Sequence, residues 1–402
     1  MNIGTKTPFY TESGNRKETT EDASTLRVVV AYKTFGPYHV ASLQHLAKWA
    51  YQENIWFEGV ALAGRQNEYP WIETEGDQLA FRSTTLFPGE TLQNVPTLRL
   101  IRKLFVYIRK TKPNVFFSSN YVSIPMALMT ILTLLQGGKA VIISPSTRLD
   151  HPRNAIKEKL KRLLLLPYSK AFVSGERASE YIQSLGIDKK NIVKGCCIVD
   201  NDTIARHVEK SKKDQCQMEA RKLLCVARLI PKKNLFFLID AYTLYRTEYA
   251  SQHPLKLVIC GSGPLEGALR AYACQSNAHD IEFPGFIQQP DLYSLLARAT
   301  VLVLPSTSEQ WGRVVNEAMA AGLPVLVSEK CGCVPELVQP GKTGWSFDPE
   351  DTGTIAELIG KVEKLTEEEY QRMAAAAHQL IADWDLDRFT NGVLTLTKRL
   401  AH

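Results

Sequence analysis

The sequence has no CxxC pair, and all eight of its cysteines lie beyond residue 195. A disulfide framework and a zinc ribbon are thereby excluded, and Cys196-Cys197 and Cys331-Gly-Cys333 read as small buried hydrophobes in a reducing cytosol. No apolar run is long enough to cross a membrane. The longest, Ile124–Leu135, has Pro125 at its start and falls short of the roughly 17–25 residues a span needs, so it is expected as a buried helix. Residues 1–24 contain no apolar core, which excludes a secretory signal peptide and predicts a disordered leader. There is no low-complexity tract and no repeat of fixed period. With 45% apolar, 22% charged and 9% aromatic residues, the composition is that of an ordinary globular protein. A net charge of +6 over 402 residues is too small to mark a nucleic-acid binder by itself.

What is present is alternation. Leu26–Tyr32 is a continuous apolar run suited to a strand covered on both faces, and Tyr38–Ala50 follows at helical spacing. Asn114–Ser118, Ala140–Ser144 and Ala171–Ser174 are further strand candidates. A charged stretch, His207–Gln217, interrupts the pattern. It restarts with Lys222–Val226, Leu255–Cys260, Ile281–Phe283, Thr300–Leu304 and Pro324–Ser328. Two such blocks predict an α/β protein of two Rossmann-like, doubly wound domains facing a cleft. The expected division is a leader at 1–24, an N-terminal acceptor domain at 25–206 and a linker at 207–219. A nucleotide-sugar domain at 220–384 follows, then a helix at 385–402 that returns to the N-terminal domain. The last segment, from Thr366, is helical with a break near Trp384-Asp385.

Ligands of such sheets bind where strands end and helices begin, because helix N-termini offer unpaired N–H groups. Three junctions stand out. In Leu302–Gly322 a strand ends in a polar turn, Glu309 stands in the loop, and Trp311-Gly312 lead into a helix carrying Glu317. Two carboxylates so placed can take hydrogen bonds from different hydroxyls of one elongated ligand, although solvated surface carboxylates share that spacing. In Val226–Asn234, Arg228 and Lys233 can both point at a diphosphate, one as a fork and one as a point charge; Lys232-Lys233 is also an ordinary solvated pair. In Cys260–Pro264 the glycines permit close backbone approach and Pro264 suits the first position of a helix.

Taken in order, these elements resemble the retaining glycosyltransferases of family 4, which have the GT-B architecture. The resemblance rests on Ala227-Arg228-Leu229 with Lys233-Asn234, Gly261-Ser-Gly-Pro264, Phe283-Pro-Gly-Phe286, Ser306–Val325, and Gly332 through Gly344. It implies that Arg228 and Lys233 bind the donor diphosphate and, with Glu309 on the sugar hydroxyls, carry catalysis. It further implies donor contacts from Gly36, Gly261, Ile287 (beside the base), Gln310, Trp311, Gly312, Arg313, Val314 and Glu317 (on the ribose). No cofactor and no metal are implied: the nucleotide sugar is the substrate, and anomeric configuration is retained through front-face attack. Two cations and a helix N-terminus can neutralise a leaving diphosphate without a metal.

Departures from the family pattern are informative. Of the Gly-rich turn after the first strand only Gly36 remains, in Phe35-Gly-Pro-Tyr-His39. The histidine that many members carry after the strand at Ala140–Ser144 is missing at that position. His39, Arg148 and His151 are therefore candidates for the sugar and acceptor side. Gln310 stands where a glycine is common, and Arg313 where an apolar residue is, both bearing on which sugar fits. Asp200-Asn-Asp202 has the form of a metal-binding DxD, but no nucleotide half precedes it in the expected register.

The charge is unevenly spread. Residues 97–170 hold 14 Lys and Arg against only Asp150 and Glu158, a local +12 that leaves −6 for the rest. Leu98–Lys110 and Ala155–Leu166 are amphipathic with basic faces, which is how a solvated helix looks and also how a helix suits anionic lipid head groups. No nucleic-acid motif accompanies them. The expectation is a hexosyltransferase using a UDP-sugar, with UDP-glucose favoured, on a lipid-linked saccharide acceptor in envelope polysaccharide assembly. It would be cytoplasmic and peripheral at the inner face of the cell membrane, bound through residues 97–170. A nucleotide-sugar 2-epimerase of the same fold and a catalytically silent nucleotide-sugar-binding protein are the alternatives.

Overall fold

The structure, a computed structural model, describes residues 25–64, 79–213, 221–276, 280–289 and 291–401. The expected leader and residues 214–219 of the expected linker lie outside these. The N-terminal sheet comprises β1 (Arg27–Tyr32), β2 (Trp56–Ala63), β3 (Ser83–Phe87), β4 (Val115–Ser118), β5 (Lys139–Ser144), β6 (Lys170–Val173) and β7 (Ile192–Lys194). Between them run α1 (Pro37–Gln52), α2 (Thr97–Thr111), α3 (Ile124–Leu135), α4 (Ala155–Leu165) and α5 (Glu176–Ser184), and α6 (Asn201–Lys213) follows. The strands are all parallel, in the order β3-β2-β1-β4-β5-β6-β7. Sheets of this kind are covered on both faces, which is why β1 reads as an unbroken apolar run with five of its six residues buried.

The second sheet contains β8 (Lys222–Val226), β9 (Lys256–Cys260), β10 (Ile281–Gly285), β11 (Val301–Leu304), β12 (Val325–Ser328) and β13 (Gly344–Phe347). Its order is β10-β9-β8-β11-β12-β13, again wholly parallel. The helices are α7 (Leu235–Leu244), α8 (Glu266–Gln275), α9 (Asp291–Ala297), α10 (Arg313–Ala320), α11 (Val334–Leu337), α12 (Thr352–Glu363), α13 (Glu367–Ile381) and α14 (Leu386–Ala401). Each sheet reverses direction once, between β1 and β4 and between β8 and β11. A crevice opens at such a reversal, and the two crevices face each other.

The chain crosses between lobes twice. After β7 it passes through Cys196–Val199 into α6, which packs on α9 and α10 of the second lobe. Residues 207–213 are therefore the end of a helix built into that lobe, not a linker; exposed Glu209, Lys210, Lys212 and Lys213 on its solvent face gave it the look of a spacer. Beyond α13 the chain turns at Trp384 and Asp385, and α14 returns to pack on α1, β6 and β7. There His45 Nδ1 lies 3.0 Å from Thr390 Oγ1. One apolar cluster spans the join, from Val28, Val30 and Leu43 through Ile198 and Ile204 to Leu304, Trp311 and Phe389. Each such side chain contributes about 1.5–3 kcal/mol on burial, so the lobes share a core.

Two expectations about helices need correction. α3 is only half buried: Met126, Met129, Thr130 and Thr133 face the sheet, while Ile124 and Leu135 are 81% and 78% exposed. Its apolar residues surround the helix, so composition could not show that one side meets no protein. Pro264 precedes α8 by two residues and is not its first position.

Candidate active site

The facing crevices form a cleft of about 1200 Å³ between the lobes. Arg228, Lys233, Gly261, Ile287, Glu309, Gln310, Trp311, Gly312, Arg313, Val314 and Glu317 all line it. Pro37, Tyr38, Pro145 and Cys197 close it from the N-terminal lobe. Residues as far apart in the second lobe's sequence as Arg228 and Glu317 are gathered here because β8 and β11 are neighbours at the strand reversal. The two loops that follow are tied together, with Thr307 N–H donating to Lys232 C=O at 2.9 Å.

At the centre, Lys233 Nζ donates to Glu309 Oε2 in an ion pair. Lys233 ends a single 3₁₀ turn, and Asn234 beyond it adopts the left-handed conformation while its amide donates to Pro349 C=O at 2.7 Å. Glu309 is fixed through its own carbonyl, which accepts from Gly332 N–H at 2.9 Å. Their side chains are only 11% and 17% exposed, so the pair works in a medium where charge counts for more than in water. It presents a carboxylate for hydroxyls and an ammonium for an oxyanion at one spot.

Backbone geometry explains the glycines around it. Gly312 has φ +100°, and a Cβ there would lie 3.0 Å from Leu304 Cδ2, so glycine alone turns the chain from the loop into α10. Gly261 and Gly263 line the cleft and turn their Cβ side to protein: a Cβ would sit 1.9 Å from Ala227 O at the first and 2.5 Å from Leu229 O at the second. The glycines thus press the β9 loop against the Arg228 loop, where Leu229 N–H donates to Ser262 C=O at 2.9 Å. Trp311 buries its ring against Trp384 at 4.8 Å between centroids and donates its indole N–H to Asn316 Oδ1 at 2.8 Å. Its side chain is structural and only its main chain is offered to the cleft.

Glu317, on the second turn of α10, is 2% exposed. Its Oε1 accepts from Tyr38 Oη at 2.8 Å and from Gln289 Nε2 at 3.5 Å. Burial pushes its carboxyl from the ordinary 4.5 to about 7, against the pull of those hydrogen bonds and of Arg313. Arg313 reaches toward the N-terminal lobe, its guanidinium 5.2 Å from the Tyr38 ring centroid and its Nη2 3.9 Å from Cys197 Sγ. Gln310 turns away from the donor side. Its amide donates to Ser146 Oγ at 3.2 Å and to Asp150 Oδ2 at 3.0 Å, binding the β5–α4 loop.

The N-terminal candidates fare differently. Gly36 is buried at the start of α1, directly before the cleft residues Pro37 and Tyr38. His39 does not line the cleft. Its Nδ1 accepts the Gly36 N–H at 3.1 Å and its ring stacks on Tyr32 at 4.0 Å. Burial, with Arg313 nearby, holds its pKa down at about 3, so it is a neutral brace for the turn. Arg148 and His151 are exposed on the β5–α4 loop and absent from the cleft wall. The member of that loop which matters is Asp150, whose carboxylate accepts from Thr147 N–H and Oγ1 and from Gln310. Asp200 caps α6, accepting from Thr203 N–H at 3.0 Å and Oγ1 at 2.8 Å. The described cysteines are free, with Cys274 exposed and six buried.

Sequence reading missed Tyr38, Gln289, Asp150 and Cys197 as parts of the site. Tyr38 and Cys197 lie in segments it had marked, but no spacing rule links Tyr38 to a carboxylate 279 residues away.

The comparisons follow the same division. Residues 207–380 match the family model described as glycosyl transferases group 1. WcaL of Salmonella typhimurium, a glycosyltransferase named for colanic acid biosynthesis, is 30% identical over 168 residues. That stretch is 40% of this chain and 40% of WcaL, so the likeness spans well under half of each. A glycosyltransferase structure from Rickettsia africae superposes with a TM-score of 0.72 at 14% identity, covering 94% of this chain and 99% of that one. Anabaena HepE, solved in complex with UDP-glucose, gives 0.68 at 15% identity, with 94% and 98% covered. The chain has the GT-B fold, and its residues 207–380, less than half of its length, match the group 1 glycosyl transferase model.

Proposed function

We propose that this protein is a retaining glycosyltransferase that moves a hexose from a nucleoside diphosphate sugar to a saccharide acceptor in polysaccharide assembly. The observation that carries the reading is the cleft wall, where Arg228, Lys232, Lys233 and Arg313 stand with two carboxylates, Glu309 and Glu317. That excess of cations suits a ligand carrying two negative charges, and the carboxylates suit hydroxyls on either side of them. In transfer, the bond from the anomeric carbon to the diphosphate breaks and the diphosphate keeps the electron pair. Arg228 and Lys233 offset the charge that develops, and no metal is needed for it. Glu309 holds the sugar and Glu317 the ribose. UDP-glucose is the donor favoured, in keeping with the HepE complex. Polysaccharide assembly is in keeping with WcaL, named for colanic acid biosynthesis, and a lipid-linked saccharide is the acceptor we favour.

The N-terminal lobe meets the membrane. Thirteen of the seventeen exposed large apolar side chains among the described residues fall between Leu98 and Leu166, on or beside α2, α3 and α4. These helices cover one face of the sheet, and the lysines and arginines of 97–170 surround their apolar tips. No described helix is long and apolar enough to cross a membrane. Such a face suits the surface of an anionic bilayer on the cytoplasmic side, where a lipid-linked acceptor would be found.

The test is a panel of nucleotide sugars scored by thermal shift, followed by detection of product on a lipid-linked acceptor. Stabilisation by a UDP-sugar and sugar transfer are expected. Epimerised nucleotide sugar without acceptor would replace this reading with a 2-epimerase, and binding without any turnover with a silent binding protein.

A further inference from the structure

The lobes also meet away from the cleft wall, at the start of α5. Gly175 precedes this helix and brings no side chain to its first N–H groups, which a helix leaves unpaired. A carboxylate from the other lobe takes that place: Glu336 of α11 accepts the Glu176 N–H with its Oε1. Negative charge is stabilising at that end of a helix. The Glu336 Oε2 is buried with no hydrogen-bond partner among the described residues, so the group is committed to this contact. A Cβ at position 175 would sit 2.5 Å from Glu336 Oε1 and 2.6 Å from Trp311 Cζ3, so glycine lets the lobes come this close. Two residues along, Arg177 Nη1 donates across the same join to Glu329 C=O at 2.6 Å and Cys331 C=O at 2.7 Å. Neither Arg177 nor Glu336 lines the cleft.

The segment that these two side chains grip is the one that holds Glu309. Residues 329–336 run from the end of β12 into α11. Gly332 N–H donates to Glu309 C=O at 2.9 Å, Cys333 N–H donates to Trp311 C=O at 3.2 Å, and Glu309 pairs with Cys331 as neighbouring strands do. A Cβ on Gly332 would lie 1.9 Å from Gln310 O, so the two stretches of main chain touch directly. Cys331 thus has its carbonyl held by Arg177 and its main chain alongside Glu309. Hydrogen bonds from a charged donor are about twice as strong as neutral ones, and Arg177 supplies two. A misplacement of about 1 Å at a reacting centre can cost about 100-fold in rate, so whatever fixes this backbone bears on transfer. The nucleotide side is placed by other elements. Arg228 and Ile287 follow β8 and β10, whereas residues 329–336 follow β12, on the other side of β11.

We propose that Arg177, with Glu336, is a positioning residue through which the N-terminal lobe sets Glu309 against the donor sugar, acting by way of residues 329–336. This rests on the reading of Glu309 as the group that holds the sugar. Arg177 touches neither the donor nor the reacting atoms, so its loss slows transfer and spares nucleotide binding.

The experiment compares the full chain with Arg177→Ala, Arg177→Lys and Glu336→Ala. It measures UDP affinity by calorimetry, steady-state transfer from the nucleotide sugar that the wild type uses, and melting. Arg177→Ala is expected to keep UDP affinity within about twofold while kcat falls about tenfold to 100-fold. Arg177→Lys keeps a charged donor for the two carbonyls and restores most of that loss, and Glu336→Ala lowers kcat in the same direction. In a Glu309→Asp background, where the carboxylate is already out of place, Arg177→Ala costs no more than about twofold further, because both changes act on one group. Unchanged kcat in both alanine variants overturns the proposal, whatever the melting temperature does. Equal losses of UDP affinity and kcat overturn it too, since the join would then support the whole cleft, as does a full additional loss in Glu309→Asp. If Arg177→Ala does not fold, Arg177→Lys and Glu336→Ala decide on the same measurements. A Glu309→Asp chain as active as the wild type removes Glu309 from the mechanism and this inference with it. A wild-type chain that neither binds UDP nor transfers from any nucleotide sugar overturns the nucleotide-sugar reading itself.

Discussion

Tyr38 Oη donates to Glu317 Oε1 at 2.8 Å, joining the first turn of α1 to the middle of α10 across the cleft. In the proposed function Glu317 accepts from ribose hydroxyls, so Tyr38 and the ribose compete for one oxygen. Removing the phenol hydroxyl frees that oxygen and leaves a buried acceptor short of a donor. Tyr38→Phe is expected to bind UDP severalfold more tightly while losing about 1 kcal/mol of stability. Calorimetric affinity and thermal melting read the two effects separately. Weaker UDP binding in Tyr38→Phe would mean that the phenol supports the ligand and does not compete with it.

The same carboxyl makes stability depend on pH. Buried Glu317 has its pKa raised to about 7, so the folded chain holds this proton more tightly than the unfolded chain does. Below pH 4.5 both states are protonated and the group is neutral to stability. As pH rises from there through about 7, the unfolded state gives up its proton first and stability falls, levelling off above. Glu317→Gln keeps the shape and removes the titration. It should gain up to about 3 kcal/mol over wild type at pH 8 and nothing at pH 4. Denaturant unfolding at the two pH values decides it, and a gain confined to low pH would show that the carboxyl is ionised in the fold.

Lys233 and Glu309 satisfy each other in the unliganded cleft, and each is asked to do a different task in transfer. Replacing either by alanine leaves its partner without a counter-charge in a site with little water, costing roughly 1–3 kcal/mol, which a shared core across both lobes can absorb. Transfer should suffer far more, by about 100-fold to 1000-fold or beyond, because charge on the departing diphosphate goes uncompensated or the sugar loses its anchor. Circular dichroism and single-turnover transfer together test this. Full activity in both variants would remove the pair from the mechanism.

The second lobe was more legible than the first, for physical reasons. Strands such as Val301–Leu304 and Val325–Ser328, buried on both faces, announce themselves as short apolar runs, and Glu309 and Glu317 stand eight residues apart between these two. Trp56–Ala63 and Ser83–Phe87 were passed over because an embedded Glu58 and a run of threonines break that signature. In the fold, Thr84 Oγ1 donates to Glu58 at 2.6 Å, so the polar groups satisfy each other inside the sheet. Ile192–Lys194 and Gly344–Phe347 are simply too short to be read. The site divides in the same way. Local spacing placed the cations and carboxylates on one wall, but Tyr38, Cys197 and Asp150 reach the cleft only through the packing of two lobes. The lack of a Cβ at Gly261 and Gly263 also lets two loops of the protein meet, a contact that the spacing of the glycines does not show.

Asp200 bears on the metal question. Its carboxylate is engaged by Thr203 N–H and Oγ1 at the start of α6, and Asp202 lies in the first turn of the same helix. A carboxylate already serving as a helix cap is a poor candidate for holding a cation near a diphosphate. Turnover measured with EDTA should match turnover without it. Strong inhibition, relieved by a divalent cation, would assign the DxD segment a catalytic part after all.

The apolar tips on the N-terminal lobe lead to the last prediction. Leu98 on α2 is 80% exposed and Ile156 on α4 is 79% exposed, and each is followed within a turn by basic residues. Water penalises such tips, and a bilayer interface receives them while the surrounding cations meet lipid phosphates. Each cation near an anionic surface contributes about 1 kcal/mol, an attraction that fades as the screening length drops from about 30 Å at 0.01 M salt to about 8 Å at 0.15 M. The protein should therefore sediment with phosphatidylglycerol vesicles at low salt and leave them as salt rises. It should ignore vesicles of neutral lipid. Leu98→Glu with Ile156→Glu inserts charge where the acyl boundary would be and should reduce vesicle binding at least tenfold, with nucleotide binding in solution unchanged. Because the cleft lies between the lobes and these helices cover an outer face, membrane binding and donor binding are separable. Absence of vesicle binding by the wild type at low salt would eliminate the membrane surface as a partner and leave the basic helices as solvated faces.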